Sequence, residues 1–158
     1  MKSYWVALVA VLSSACASAA GPYDTRELER LNKALYERTF EIRPAFLDAH
    51  SPTSPEAMFY WELLDQINIV HYSAEEVVSL GILLTGYHVP TDNLFMSNGA
   101  FRMRQICSIA NEKMTDMAEN NRVPGTKVGV AQAAGAAQSV CKELERLWSA
   151  YGPPKSKP

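Results

Sequence analysis

Residues 107–141 read CSIANEKMTDMAENNRVPGTKVGVAQAAGAAQSVC, and this stretch decides the fold. It begins and ends in cysteine, and its midpoint is Pro124, inside Arg122-Val123-Pro124-Gly125. Proline followed by glycine marks a turn. Upstream, Met103, Ile106, Cys107, Ala110, Met114 and Met117 recur at helical spacing over residues 100–120. Downstream, Val130, Ala134, Ala137, Cys141, Leu144 and Trp148 do the same over 126–151. The spacing predicts a hairpin of two antiparallel helices. Residues equidistant from its turn lie level, and both cysteines sit on an apolar stripe, so Cys107 and Cys141 are expected to bond. The small-residue run 131–137 is read as a place where a neighbouring helix comes close, at the propensity cost of Gly135.

Three more helices are expected ahead of this hairpin. Asp24-Thr25-Arg26-Glu27 has the form of a capping box, and Leu28, Leu31, Leu35 and Ile42 follow on one face. Pro44 should end or kink that helix, because it disfavours helical geometry at Arg43. Ser54-Pro55-Glu56 opens a second helix over 55–70. Ser73-Ala74-Glu75-Glu76 resembles a second capping box, so a third helix is expected from there, capped at its C-terminus by Gly86. Residues 87–98 read as an irregular loop. No segment alternates with period two. The expectation is an all-α, compact bundle of about five helices with one disulfide.

The first twenty residues read as an export signal and not as part of that bundle. Lys2 supplies a charged start, 4–12 is an apolar run, and small residues around Ala17 and Ala19 suit signal peptidase. Residues 21–152 are then one helical domain, with 153–158 a frayed tail. A periplasmic or secreted location follows, and an oxidising compartment suits the disulfide. Ser14-Ala15-Cys16 also ends like a bacterial lipobox, although Ser13 stands where leucine is usual. Membrane attachment is expected only in the alternative in which Cys16 is lipidated. No later segment reads as long and apolar enough to span a bilayer.

Composition narrows the function. With 15 basic against 17 acidic residues there is no clustered excess of cations for nucleic acid. The motifs C-x-x-C-H, H-E-x-x-H and G-x-S-x-G do not occur, so no metal or cofactor is expected. Acids such as Glu62, Asp65, Glu75 and Glu76 could serve a cell-wall hydrolase, but solvated helix faces explain them better. His88 or the methionines could centre a metal or haem site, and core packing explains the methionines better.

Tracing five helices places His50, Tyr87, His88, Asp92, Phe95, Met96, Trp148 and Tyr151 at one pole, and Asp24, His71, Tyr72, Asn120 and Arg122 at the other. Aromatic side chains with polar tips suit binding hot spots. Phe59-Tyr60-Trp61 cannot all face inward on one helix, which adds a second binding region. The expected partner surface is Tyr60, Trp61, Tyr87, His88, Asp92, Phe95, Trp148 and Tyr151. The function expected from these observations is a non-enzymatic module that binds another envelope protein, most concretely an inhibitor or immunity protein for an envelope-acting enzyme.

Overall fold

The structure, a computed structural model, describes residues 23–48, 50–89 and 94–151. It holds four helices: α1 (Arg26–Leu47), α2 (Pro55–Gly86), α3 (Leu94–Asn120) and α4 (Lys127–Tyr151). Each packs on its two neighbours in a ring, α1 on α2 and α4, α3 on α2 and α4, with a lesser contact across the diagonal between α2 and α4. The α3–α4 interface is the largest. Cys107 and Cys141 are bonded across it, with Cα atoms 5.6 Å apart, and the turn around Pro124 joins the two helices as its central position implies.

The expected five helices become four because nothing breaks α2 at Ser73. That residue is buried, and its hydroxyl donates to the Ile69 carbonyl (2.7 Å) instead of capping a new helix. The apolar phase also passes through unbroken: Tyr60, Leu63, Ile67, Val70, Ala74, Val77, Gly81 and Leu84 are all buried, at steps of three and four. The other helices repeat the rhythm, with 28, 32, 35, 39, 42 and 46 buried in α1, and 96, 100, 103, 107, 110 and 114 in α3. In α4 the buried line is 130, 133, 137, 140, 144 and 147. A strict alternation of three and four keeps each stripe facing its partners along the whole length of a bundle. The merged α2 is also the one described helix whose length and composition would let it cross a membrane; its buried side is the bundle core.

The helix ends differ from expectation in instructive ways. Thr25, not Asp24, is the N-cap of α1 and makes no side-chain cap bond; Asp24 accepts instead from the Arg26 amide and guanidinium, while Glu27 pairs with Arg30. The helix runs through Pro44 to Leu47, because Phe46 in that last turn is fully buried and lies against Phe59 and Tyr60. Ser54 does cap α2, accepting from the Ala57 amide (3.1 Å) ahead of Pro55.

At the far end of α2, His88 and not Gly86 takes the left-handed conformation (φ 54°). Its amide donates to the Thr85 carbonyl and the Val89 amide to the Leu84 carbonyl, which together form a Schellman motif. The register is set by apolar packing. Leu84 is buried and Val89 packs on the core, whereas a cap centred on Gly86 would pair the exposed Ile82 and Tyr87.

The close helix approach falls two residues before the small-residue run. A Cβ on Gly129 would lie 2.7 Å from Ile42 Cγ2, so it is glycine that lets α4 meet α1. Within the run, Ala133, Ala134 and Ala137 are core, while Gly135 is exposed with open space beside it. The expected signal segment, Cys16, Asp92 and the C-terminal tail lie outside the described residues.

Candidate functional site

Continuity of α2 rearranges the ends of the molecule. The start of α1, the ends of α2 and α4 and the start of α3 share one pole, with Tyr23, Asp24, Tyr87, His88, Phe95 and Tyr151. The opposite pole carries His50, Glu56, Asn120 and Arg122. His50 therefore does not join Tyr87 and His88; its Nδ1 lies 3.9 Å from Glu56 Oε2 at the start of α2. Asp24 belongs with Tyr151, its amide donating to the tyrosine hydroxyl at 3.1 Å. His71 and Tyr72 sit midway along α2 and at neither end.

The residues expected to bind a partner divide accordingly. Tyr60 and Trp61 lie near the start of α2, and Tyr87 follows its last turn, roughly 39 Å away at 1.5 Å per residue. Tyr60 is buried, and Trp61 is exposed beside it. Tyr87, His88 and Phe95 are exposed at the first pole. Trp148 is half-buried beneath the Arg104 guanidinium (4.3 Å), which also pairs with Glu145. Tyr151 is half-buried, its ring 5.2 Å from that of Tyr23.

One of these two regions is a built groove. On α1, Tyr36, Phe40 and Arg43 recur at steps of four and three, each one residue beyond the core positions Leu35, Thr39 and Ile42. On α2, Trp61 and Leu64 stand one residue beyond Tyr60 and Leu63. The antiparallel pairing brings these flanks together, and with Thr39 and Tyr60 they line a groove of about 220 Å³. Its rim is aromatic and accessible: Phe40 is 60 % exposed, Trp61 46 % and Tyr36 39 %. Edge-to-face contacts hold the rings, Tyr36 on Phe40 (5.5 Å) and Tyr60 on Trp61 (5.3 Å). The floor is polar but satisfied. Thr39 donates its hydroxyl to the Tyr36 carbonyl, and Tyr60 donates to the Thr39 carbonyl. Burial pushes the Tyr60 phenol above its ordinary pKa, with Arg43 opposing.

His71 packs against Tyr36 of this rim. Its ring stacks on Tyr36 at 4.6 Å, and its Nδ1 donates to Oδ1 of the buried Asn32 (3.1 Å). That bond fixes the imidazole and so the plane of Tyr36. The candidate acids Glu62, Asp65, Glu75 and Glu76 are exposed along α2. Among the described residues no three His, Cys, Asp or Glu side chains converge as a metal site would require. A larger open groove of about 770 Å³ lies over the disulfide between α3 and α4, lined by Arg104, Ile109, Asn111 and Lys142 among others.

Sequence reasoning found Tyr60 and Trp61 but missed Tyr36, Phe40 and Arg43. The available signal was two aromatic residues standing off the apolar stripe of α1, where solvated polar residues are the rule. No protein-family profile, curated protein or solved structure matches the chain.

Proposed function

We propose that this is an exported, non-enzymatic module that binds another envelope protein through the α1–α2 groove. The observation that carries the reading is the exposed aromatic rim of Tyr36, Phe40 and Trp61 beside Arg43, on a scaffold cross-linked at the far side of the bundle. Large amphipathic rings lose little side-chain entropy on binding and dominate interface energies. Arg43 is exposed among them, so the fitting partner segment presents an apolar side chain next to a carboxylate. An inhibitor or immunity protein that covers an envelope-acting enzyme is the concrete form of this reading. The signal-like first twenty residues and the disulfide support export.

The test is affinity capture from the envelope fraction of the source cell, followed by calorimetry with the captured protein. A stoichiometric partner is expected, with affinity lowered at least thirtyfold by Trp61→Ala or Phe40→Ala, on the order of 2 kcal/mol. Capture of no partner, or variants that bind as tightly as the unaltered protein, would overturn the groove as the interface.

A further inference from the structure

The groove over the disulfide continues past it. Between α3 and α4 it holds about 770 Å³ around Arg104, Asn111 and Lys142, and it joins a second hollow of about 500 Å³ that reaches Glu119 and Lys127. Gln138 lines both, so they form one seam along the outer face of the hairpin, opposite the α1–α2 groove in the ring of helices. From Arg104 to Glu119 the seam runs roughly 22 Å at 1.5 Å per residue, about the length of six or seven extended residues.

The walls of this seam are polar and lack partners. Asn111 Oδ1 and Arg104 Nε are buried side-chain atoms with no hydrogen-bond partner, seven residues and so roughly 10.5 Å apart along α3. Buried polar atoms in folded proteins are nearly all paired, so one acceptor and one donor stand unmet in the same wall. Among the described residues the exposed amides of Gln105 and Gln138 have no side-chain hydrogen bond either. Ile109, 60 % exposed, is the one large apolar side chain in the lining. Charge is uneven along the seam. Arg104, Lys142 and Glu145 leave one net positive charge at one end, whereas Glu119 and Lys127 cancel at the other. Glu145 pairs with Arg104, and no described acid pairs with Lys142.

We infer that the seam binds the carboxyl-terminal segment of an extended peptide chain, with its free carboxylate at Lys142 and Arg104. A terminal carboxylate is a group that an unpaired ammonium and a guanidinium hold together. Amide side chains both donate and accept, so Asn111, Gln105 and Gln138 suit the free N–H and C=O groups of extended backbone. A small turn of the Asn111 amide brings Oδ1 to a peptide N–H. A docked helix has already paired its own backbone and would leave Asn111 unmet, which selects the extended occupant. Ile109 stands five residues, roughly 7.5 Å, from Arg104 along α3, level with the second or third side chain from the carboxylate. This site lies apart from the α1–α2 groove and does not depend on it.

The experiment is affinity selection on the whole chain from hexapeptides randomised at every position, half with free C-terminal carboxylates and half amidated. Free acids should be recovered over amides by about tenfold or more, with an apolar residue second or third from the end. A selected peptide should bind about tenfold more weakly to Lys142→Ala and to Asn111→Ala, and equally well to Trp61→Ala. Lys142 is exposed and Asn111 half-buried, so circular dichroism should show both variants folded. Nuclear magnetic resonance should place the peptide-induced shifts at Ser108, Ile109, Asn111 and Gln138. Joining the selected sequence to the end of a carrier protein identifies the source, since retained affinity assigns the seam to a protein tail and lost affinity to a free peptide. Equal recovery of acids and amides, recovery of neither, or shifts confined to Tyr36 and Trp61 overturns the inference.

Discussion

Breaking the Cys107–Cys141 bond tests how the bundle is held, and its cost follows from chain statistics. The cross-link closes a loop of 34 residues between the two helices that share the largest interface. Removing loop-closure entropy from the unfolded chain at that length stabilises the fold by about 4 kcal/mol in the entropic model. Typical domain stabilities are about 5–15 kcal/mol, so this is a large share. Reduction leaves native packing nearly intact, since Cys107 stays buried on the α3 stripe and behaves as a small apolar residue. The loss therefore belongs to the unfolded state. Urea titrations with and without a non-thiol reductant, followed by far-ultraviolet circular dichroism, should separate the midpoints by about 2 M at an ordinary slope for a domain of this size. The thermal midpoint should drop by about 10–15 °C. A Cys107→Ala/Cys141→Ala variant should reproduce the reduced curve and ignore reductant. Coincident curves for oxidised and reduced protein, with reduction verified by mass, would refute the claim that this bond restrains the unfolded chain.

Three other outcomes follow from local geometry. Gly129→Ala should destabilise by about 1–3 kcal/mol, because its Cβ would meet Ile42 at 2.7 Å, whereas Gly135→Ala should stabilise by about 1 kcal/mol, being helical and open; denaturant titration of the pair checks both signs. His88→Gly should stabilise by about 0.5–1 kcal/mol by relieving a left-handed residue with φ 54°, and a thermal midpoint that falls would contradict the cap geometry. Asp24 is held down to about 2 from 3.8, first by its side-chain hydrogen bond to Arg26 and then by the Arg26 amide. A lowered folded-state value means that its contribution is complete above about pH 4 and is lost as pH falls towards 2. Carboxyl titration by nuclear magnetic resonance should show Asp24 returning towards its ordinary value in Arg26→Ala.

Much of the bundle was readable because its signals are local or symmetric. The helical periods, the Ser54 cap and the turn at Pro124 each depend on a few consecutive residues. The disulfide required only that two stripes fold back about a known centre. The break at Ser73 was read from a capping pattern that the tertiary structure overrode. Ser73 is buried where its hydroxyl has a carbonyl four residues back to satisfy it, and the unbroken steps through Val70, Ala74 and Val77 were the stronger signal. That single misreading reversed the direction of half the chain and put His50 and Asp24 at the wrong ends.

Composition and periodicity alone specify an all-helical chain, a long C-terminal hairpin and the partnership of Cys107 with Cys141, because each is decided by spacing along one or two helices. Which pole a residue occupies depends on how many times the chain reverses, and that is settled by burial at Ser73, not by its capping pattern. Groove formation likewise waits for packing: Tyr36, Phe40 and Arg43 meet Trp61 and Leu64 only because antiparallel α1 and α2 bring matching flanks of their stripes together. The left-handed residue at the end of α2 is chosen the same way, by the burial of Leu84 and Val89 and not by the nearest glycine.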